Sequence, residues 1–200
     1  MEVLKPDSEG LARAAELLRS GEVIAFPTDT VYGLGARAAD RAALLKIFAI
    51  KGRPLGRALV LMTAHPSELA NWVELDETAL AYMARWWPGP LTLVLRAKPG
   101  VRPPLAMDEP RTLAVRIPDH PVALDLLRTL GEPLGTTSAN PSGSAAALTA
   151  IQVCWLPGLA AVIDAGRAPG GVASTLLDVS GPEPVVLREG PIPSVQLLRR

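Results

Sequence analysis

The sequence predicts an α/β fold: a single domain over residues 1–200, built on a mixed β-sheet flanked by helices. Three observations predict it. Amphipathic helical stretches alternate with short apolar runs for most of the chain and strands dominate its later part, which favours a mixed over a strictly parallel sheet. The 200 residues suffice to bury a large core. Composition is that of an ordinary globular chain, 48% hydrophobic and 20% charged with zero formal net charge, and no repeat, low-complexity tract or linker interrupts it.

The elements follow in order. Asp7 or Ser8 caps a helix whose Leu11, Ala14, Ala15 and Leu18 share one face, closed by Gly21. "EVIAF" (22–26) reads as a strand and "PTDTVYGLGARA" (27–38) as a loop. Asp40 caps a second helix that turns Leu44, Ile47 and Phe48 inward and ends near Gly52. "ALVLM" (58–62) is a strand, a helix runs from about Asp76 to Trp87, and "LTLVLRA" and "TLAVRI" are strands. Another helix spans about His120 to Leu130 before Gly131. A short strand leads into the turn "GTTSANPSG", a helix lies near Thr149–Trp155, and "AAVID", "STLLDV" and "PVVLRE" are strands. "PSVQLLRR" reads as a short capped helix.

Composition also excludes function classes. Zero net charge argues against a strongly basic nucleic-acid binder, although a local patch remains compatible with it. With one cysteine, Cys154, no intramolecular disulfide or cysteine-built zinc site forms, and Cys154 in "AIQVCWL" reads as core. The start has no basic segment followed by an apolar run, and nothing approaches the roughly 20 apolar residues of a membrane span. A cytoplasmic protein is expected. Arginine far outnumbers lysine, which a GC-rich genome explains without invoking function.

Several motifs fail on context. "GLGARA" (33–38) fits G-x-G-x-x-A, but six residues separate it from the preceding strand and position 53, where an acidic residue is wanted, is arginine. No P-loop pattern occurs. His65 and His120 both sit beside proline in apparent turns and give a metal site or triad little to work with.

What remains is a scatter of anion-binding pieces. In "LAVRIPDH" the residues Leu113, Val115 and Ile117 share one strand face, which leaves Thr112, Ala114 and Arg116 opposite. A guanidinium there requires an anion, either a carboxylate of the protein or a ligand. "KGRPLGR" places Lys51, Arg53 and Arg57 past a helix C-terminus, where they either complement the helix dipole or meet an anion. "GTTSANPSG" has the composition of a turn that cradles a phosphate, or of an ordinary polar turn. "PTDTVYG" offers Thr28, Asp29, Thr30 and Tyr32 directly after a strand, for turn formation or ligand contact, and Arg188 follows an apolar strand in "VVLREG". Several cations beside hydroxyl-rich loops point to a polyanion such as a nucleoside triphosphate.

Taken together, "GEVIAFPTDTVYGLGARA", "IFAIKGRPLGRAL", "WPGPLTLVL", "LAVRIPDHP", "TTSANPSG", "STLLDV" and "VVLREGPI" closely resemble, in order and spacing, the YrdC-type threonylcarbamoyl-AMP synthases, from about residue 8 to 193. The resemblance implies a twisted mixed sheet around a basic concave cavity. It also implies an enzyme that condenses L-threonine, bicarbonate and ATP to threonylcarbamoyl-adenylate and pyrophosphate, the first step of N6-threonylcarbamoyladenosine formation at position 37 of tRNA. By the same resemblance, Lys51, Arg53, Arg57, Thr112, Ser138, Asn140 and Arg188 bind ATP. Thr30, Met62, Arg116 and Ser174 take threonine, and Lys51, Arg53 and Arg116 serve catalysis.

The sequence departs from the family pattern in places. Many relatives read K-x-R-P-x-x-x-P-L followed by histidine; here Ala58 replaces the second proline, Met62 stands at that histidine, and Arg57 replaces a common asparagine. The additional C-terminal domain of longer relatives is expected to be absent.

The implied chemistry sets negative charge against negative charge, since a carbamate carboxylate must attack the α-phosphorus. Positioned cations and N–H donors lower that barrier without a covalent protein nucleophile. Magnesium is expected to accompany ATP through phosphate oxygens and water, with Asp29 as the one weak protein candidate. Hand-off to the tRNA threonylcarbamoyl-transferase machinery and weak RNA binding are further expectations of the resemblance. The competing readings are an RNA-binding module without chemistry, which few aromatics and zero net charge disfavour, and a carbamoyl-adenylate-forming relative with another amino acid. The carbamoyl-transfer domain of hydrogenase maturation proteins is also related, but this chain lacks the cysteines for its zinc fingers.

Overall fold

Burial of alternate strand faces organises the molecule. The computed structural model describes residues 1–52, 59–101 and 111–199, and these form a ten-stranded mixed sheet. In chain order its strands are β1 (Glu2–Leu4), β2 (Ile24–Phe26), β3 (Gly33–Arg37), β4 (Val60–Met62), β5 (Leu91–Arg96), β6 (Thr112–Arg116), β7 (Leu134–Ser138), β8 (Ala161–Ile163), β9 (Thr175–Asp178) and β10 (Val185–Arg188). Their spatial order is β1-β8-β2-β3-β7-β4-β6-β5-β9-β10. β8 runs parallel to β1 and β2, β4 to β6, and β5 to β9; the remaining pairs are antiparallel.

Five α-helices pack on this sheet: α1 (Ser8–Arg19), α2 (Arg41–Lys51), α3 (Glu77–Trp86), α4 (Pro121–Leu130) and α5 (Ser194–Leu197). The predicted caps form. Asp7 accepts from the Gly10 N–H at 2.9 Å and Asp40 from Ala43 at 3.0 Å, while Gly52 and Gly131 end their helices in the left-handed region. α5 has no cap from its own N-cap residue; Glu189 Oε2 accepts from the Ser194 N–H at 3.2 Å instead. Among the described residues no helix is long and apolar enough to cross a membrane.

One sheet face is predominantly apolar. Leu34, Leu61, Leu93, Val115 and Leu177 form a continuous core there with Leu44, Ile47 and Phe48 of α2 and Ala79 and Met83 of α3. The other face is covered only in part. α1 and α4 pack Leu11, Leu18, Leu126 and Leu127 over Ile24, Phe26, Met62 and Leu134. Beyond these helices the same face carries Val60, Thr136, Ser138, Thr92 and Arg116, and this uncovered half becomes the floor of a cavity.

Several expectations are corrected. Residues 33–37, read as loop, are β3. Gly33 and Gly35 turn to Phe26 on the adjacent strand, while Leu34 and Ala36 enter the opposite core. Two glycines hide a strand because they lack the side chains on which strand propensity rests. The fit is tight: a Cβ on Gly35 would lie 2.8 Å from Phe26 Cε1. "GTTSANPSG" likewise begins inside β7, so only its second half is a turn. The helix expected near Thr149–Trp155 is a 3-10 turn, Ala150–Gln152, with a Thr149/Gln152 capping box. Ile, Val, Cys and Trp are weak helix formers and Pro157 follows.

That turn also relocates Cys154. A period of three buries Ala150, Val153, Leu156 and Leu159, which leaves Ile151, Cys154 and Trp155 exposed, so the thiol is not core. β1 and a 3-10 segment at Pro66–Asn71 add to the elements expected from the sequence.

Gly35→Ala should lower stability by about 1–3 kcal/mol, through overpacking against Phe26. Urea denaturation against the wild type checks it, and an unchanged midpoint would place Phe26 elsewhere.

Candidate active site

The cavity forms where the loop after β2 crosses the uncovered half of the sheet. In that loop the Thr28 hydroxyl donates to the Val31 carbonyl at 2.7 Å and accepts from the Thr30 and Val31 N–H groups at 3.2 Å. Thr28 and Thr30 hydroxyls lie 2.9 Å apart, both buried. Turn formation and presentation of Thr30 are therefore one device. Gly171 donates its N–H to the Thr30 carbonyl at 2.9 Å, and a Cβ on neighbouring Gly170 would fall 2.3 Å from that oxygen, so only glycine permits this approach. Tyr32 points away into the core and donates to the Gly166 carbonyl at 2.7 Å.

Arg116, 4% exposed, reaches from β6 into this space. Its Nη2 donates to Asp29 Oδ1 at 2.6 Å, Nη1 to Thr30 Oγ1 at 3.0 Å and Nε to the Gly89 carbonyl at 3.0 Å. The anion that the sequence demanded is thus a carboxylate of the protein, and a guanidinium has more donors than these three partners use. Burial pushes the Arg116 pKa below its ordinary value; Asp29 opposes this, and the charge of Arg188 adds to it.

Arg188 reaches the same cavity through a bulge. β10 shifts register between Val186 and Arg188, so that Arg188 rather than Leu187 pairs with Leu176, and Leu176 pairs with Thr92. The shift moves the guanidinium to the face that carries Thr92 and Arg116. Its Nε and Nη2 donate to the Ser174 carbonyl at 3.1 and 2.9 Å, and the Ser174 and Thr92 hydroxyls are 2.7 Å apart.

A cavity of about 140 Å³ results, whose walls include Thr30, Thr92, Arg116, Ser138, Ser174 and Arg188. Six residues singled out from the sequence, Thr28, Thr30, Arg116, Ser138, Ser174 and Arg188, therefore meet at one place. Thr92 was missed, and Thr136 was covered only as part of "GTTSANPSG". The signal for Thr92 was available: it is a hydroxyl between Leu91 and Leu93, on the sheet face that carries Arg116.

The remaining candidates lie elsewhere. Lys51, 5% exposed, donates to the Ser138 and Asn140 carbonyls and, at 3.3 Å, to Asn140 Oδ1. It clamps the Ser138–Asn140 segment to the end of α2, and Ser142 donates back to the Lys51 carbonyl at 3.1 Å. The Asn140 amide donates to the carbonyls of Pro141 and Ser144, and Asn140 borders a neighbouring concavity with Trp155. Met62 stands in register beside Arg116 on the same sheet face, but it packs into the apolar cluster beneath α1 and α4 and does not line the cavity. Thr112 pairs with Arg96 at the opposite end of β6 from Arg116 and does not line the cavity either. Arg53 and Arg57, with Ala58, lie outside the described residues.

For a metal, Asp29 already engages one oxygen with Arg116. Among the described residues no three His, Cys, Asp or Glu side chains gather to hold an ion.

Comparison with known proteins gives this geometry its context. The Sua5/YciO/YrdC family model, described as telomere recombination, matches residues 16–190. The chain belongs to that family. A threonylcarbamoyl-AMP synthase of Bacillus subtilis is 42% identical over 197 residues, which cover 97% of this chain and 57% of that protein. Sua5 of Pyrococcus abyssi, solved in complex with L-threonine, superposes with a TM-score of 0.91 at 36% identity, over 98% of this chain and 59% of that one. Escherichia coli YciO superposes with a TM-score of 0.86 at 30% identity, over 99% and 98% of the two chains. The chain thus spans little more than half the length of the first two relatives.

Lys51→Met should destabilise the protein by about 1–3 kcal/mol, because two carbonyls lose a charged donor. Loss of protection in 138–144 by hydrogen exchange, with β5 and β6 unaffected, is the expected pattern.

Proposed function

We propose that this chain forms L-threonylcarbamoyladenylate and pyrophosphate from L-threonine, bicarbonate and ATP, for modification of tRNA adenosine 37. The observation that carries the reading is the convergence of Thr30, Arg116, Ser174 and Arg188, distant in sequence, on one cavity. The naming of the Bacillus relative and the threonine complex of the Pyrococcus relative support it.

In this reading the threonine carboxylate meets Arg116 beside the Thr30 hydroxyl, and Ser174 and Thr92 contact the amino-acid or carbamate oxygens. Arg188, at the cavity rim, and Arg53, in the segment that follows α2, neutralise the triphosphate. Ser138 places the nucleotide at the cavity wall. Lys51 and Asn140 serve as positioning residues, since each holds the Ser138 segment through bonds to the protein itself. Magnesium accompanies ATP on phosphate oxygens and water.

The difficulty of the reaction is electrostatic, because a carbamate must approach a polyphosphate. Among the described residues, two guanidiniums face the cavity against one carboxylate, Asp29, so the local field is positive although the whole chain is neutral. Fixed cations of this kind stabilise charge that develops on the phosphoryl oxygens without reorganising during reaction. The product would pass to a transferase that acts on tRNA in the cytoplasm.

Omission of each reactant in turn from a pyrophosphate-release assay tests the proposal. Release should require threonine, bicarbonate and ATP together, with serine and other amino acids weaker; release that is indifferent to threonine overturns it. Arg53→Ala and Arg188→Ala should each lower turnover at least about tenfold, a barrier increase of about 1.4 kcal/mol, with melting curves close to the wild type.

A further inference from the structure

β10 carries the guanidinium of Arg188 to the cavity although the strand itself is weakly held. It lies at the edge of the sheet, pairs only with β9, contains a bulge, and leaves Val185 and Leu187 about half exposed. A short edge strand that buries so little side-chain surface opens easily. What secures Arg188 therefore lies beyond the end of the ladder, where Arg188 meets Leu176.

There the chain turns back onto β9, and a side chain takes over from the ladder. Thr175, the first residue of β9 and fully buried, donates its hydroxyl to the Ile192 carbonyl at 2.8 Å and accepts from the Ile192 N–H at 3.0 Å. Between them Gly190 passes so close that a Cβ on it would fall 2.6 Å from the Ala173 carbonyl oxygen, and closer still to the Thr175 nitrogen. Ile192 and Leu197 enter the main core, and the Tyr82 hydroxyl on α3 donates to the Leu197 carbonyl at 2.8 Å. Arg188 thus stands between two attachments to β9, the ladder before it and the Thr175–Ile192 pair after it. Its guanidinium grips the carbonyl of Ser174, the residue next to Thr175.

We propose that Thr175 is a positioning residue for Arg188: its hydroxyl binds the returning chain at Ile192 and so fixes the guanidinium at the cavity rim, where a polyphosphate enters. The inference rests on the function proposed above in taking Arg188 as a phosphate ligand. Thr175 itself does not line the cavity. Valine would fit the strand as well as threonine does, but it lacks the hydroxyl. With valine there, the Ile192 N–H and C=O lose their partner in the interior, a cost the chain relieves by moving residues 189–192 toward water, which draws Arg188 away from Ser174.

Nitrogen-resolved NMR reads the arginine directly, because its Nε–H is held on the Ser174 carbonyl, while the Arg116 Nε–H is held on Gly89 and serves as an internal reference. Thr175→Val should speed hydrogen exchange of the Arg188 Nε–H at least about tenfold and leave that of Arg116 unchanged. By calorimetry, the same variant should bind ATP with magnesium about tenfold more weakly and threonine within about twofold of the wild type. Thr175→Ser keeps the hydroxyl and should restore ATP binding to within about threefold. Thr175→Val should add nothing to the loss caused by Arg188→Ala, since both act through one guanidinium. Gly190→Ala opens the same contact with Thr175 intact and should reproduce the valine signature, which decides the question even where Thr175→Val does not fold. Arg188 exchange and ATP affinity equal to the wild type in either variant overturn the proposal, as does a Thr175→Val loss that adds in full to that of Arg188→Ala. A wild type that binds no ATP overturns the function proposed above instead, and Arg188 Nε–H exchange alone then decides the role of Thr175.

Discussion

The site depends on a buried positive charge. A guanidinium cannot lose its proton to escape an apolar interior, so Arg116 is tolerable only with partners in place. Those partners come from two parts of the chain remote from β6: Asp29 and Thr30 from the loop after β2, and Gly89 from the turn before β5. Removal of one member of a buried pair typically costs about 3–5 kcal/mol, against a total stability of about 5–15 kcal/mol for a domain. Correct folding and assembly of the site are therefore coupled, and the arginine is pre-set before any ligand arrives.

The sheet makes room for this charge by leaving half of one face uncovered. α1 and α4 cap the apolar half; the exposed half carries hydroxyls, at Thr92, Thr136 and Ser138, rather than further charges. Threonine suits that position twice over, as a β-branched residue that fits a pleated strand and as a neutral donor and acceptor. Hydroxyl walls let an anion approach the two arginines without adding to the repulsion between them. The bulge in β10 completes the arrangement, since without it Leu187 would take the place of Arg188.

Legibility in the sequence followed the reach of local patterns. α1, α2, α3 and α4 were readable because their caps and apolar faces are local, and Arg116 was readable because strand alternation placed a charge where none is comfortable. β3 was hidden because Gly33 and Gly35 are dictated by Phe26 on the neighbouring strand, a packing contact that neither alternation nor propensity encodes although the residues are close in sequence. Cys154 was misplaced because the 3-10 period is only about half a residue per turn shorter than the α period, yet selects other residues for burial. The partner of Arg116 was unreadable for another reason. Asp29 lies far from it in sequence, and only the fold chooses between an internal carboxylate and a ligand.

The placement of Lys51 sharpens how charge is divided across the site. An ammonium that donates to the carbonyls of Ser138 and Asn140 is bound into the backbone, and a polyphosphate would have to compete with those carbonyls for it. A nucleoside triphosphate therefore needs its counter-charge from groups with fewer internal commitments. Arg188, at the cavity rim and bonded to Ser174, is one. Lys51 fixes both ends of this arrangement at once: through its side chain it holds the Ser138 segment that forms the cavity wall, and through its backbone it ends the helix from which the arginine-bearing segment departs. A lysine in that position orders the cavity wall by geometry, while Arg116 and Arg188 supply the positive field inside it.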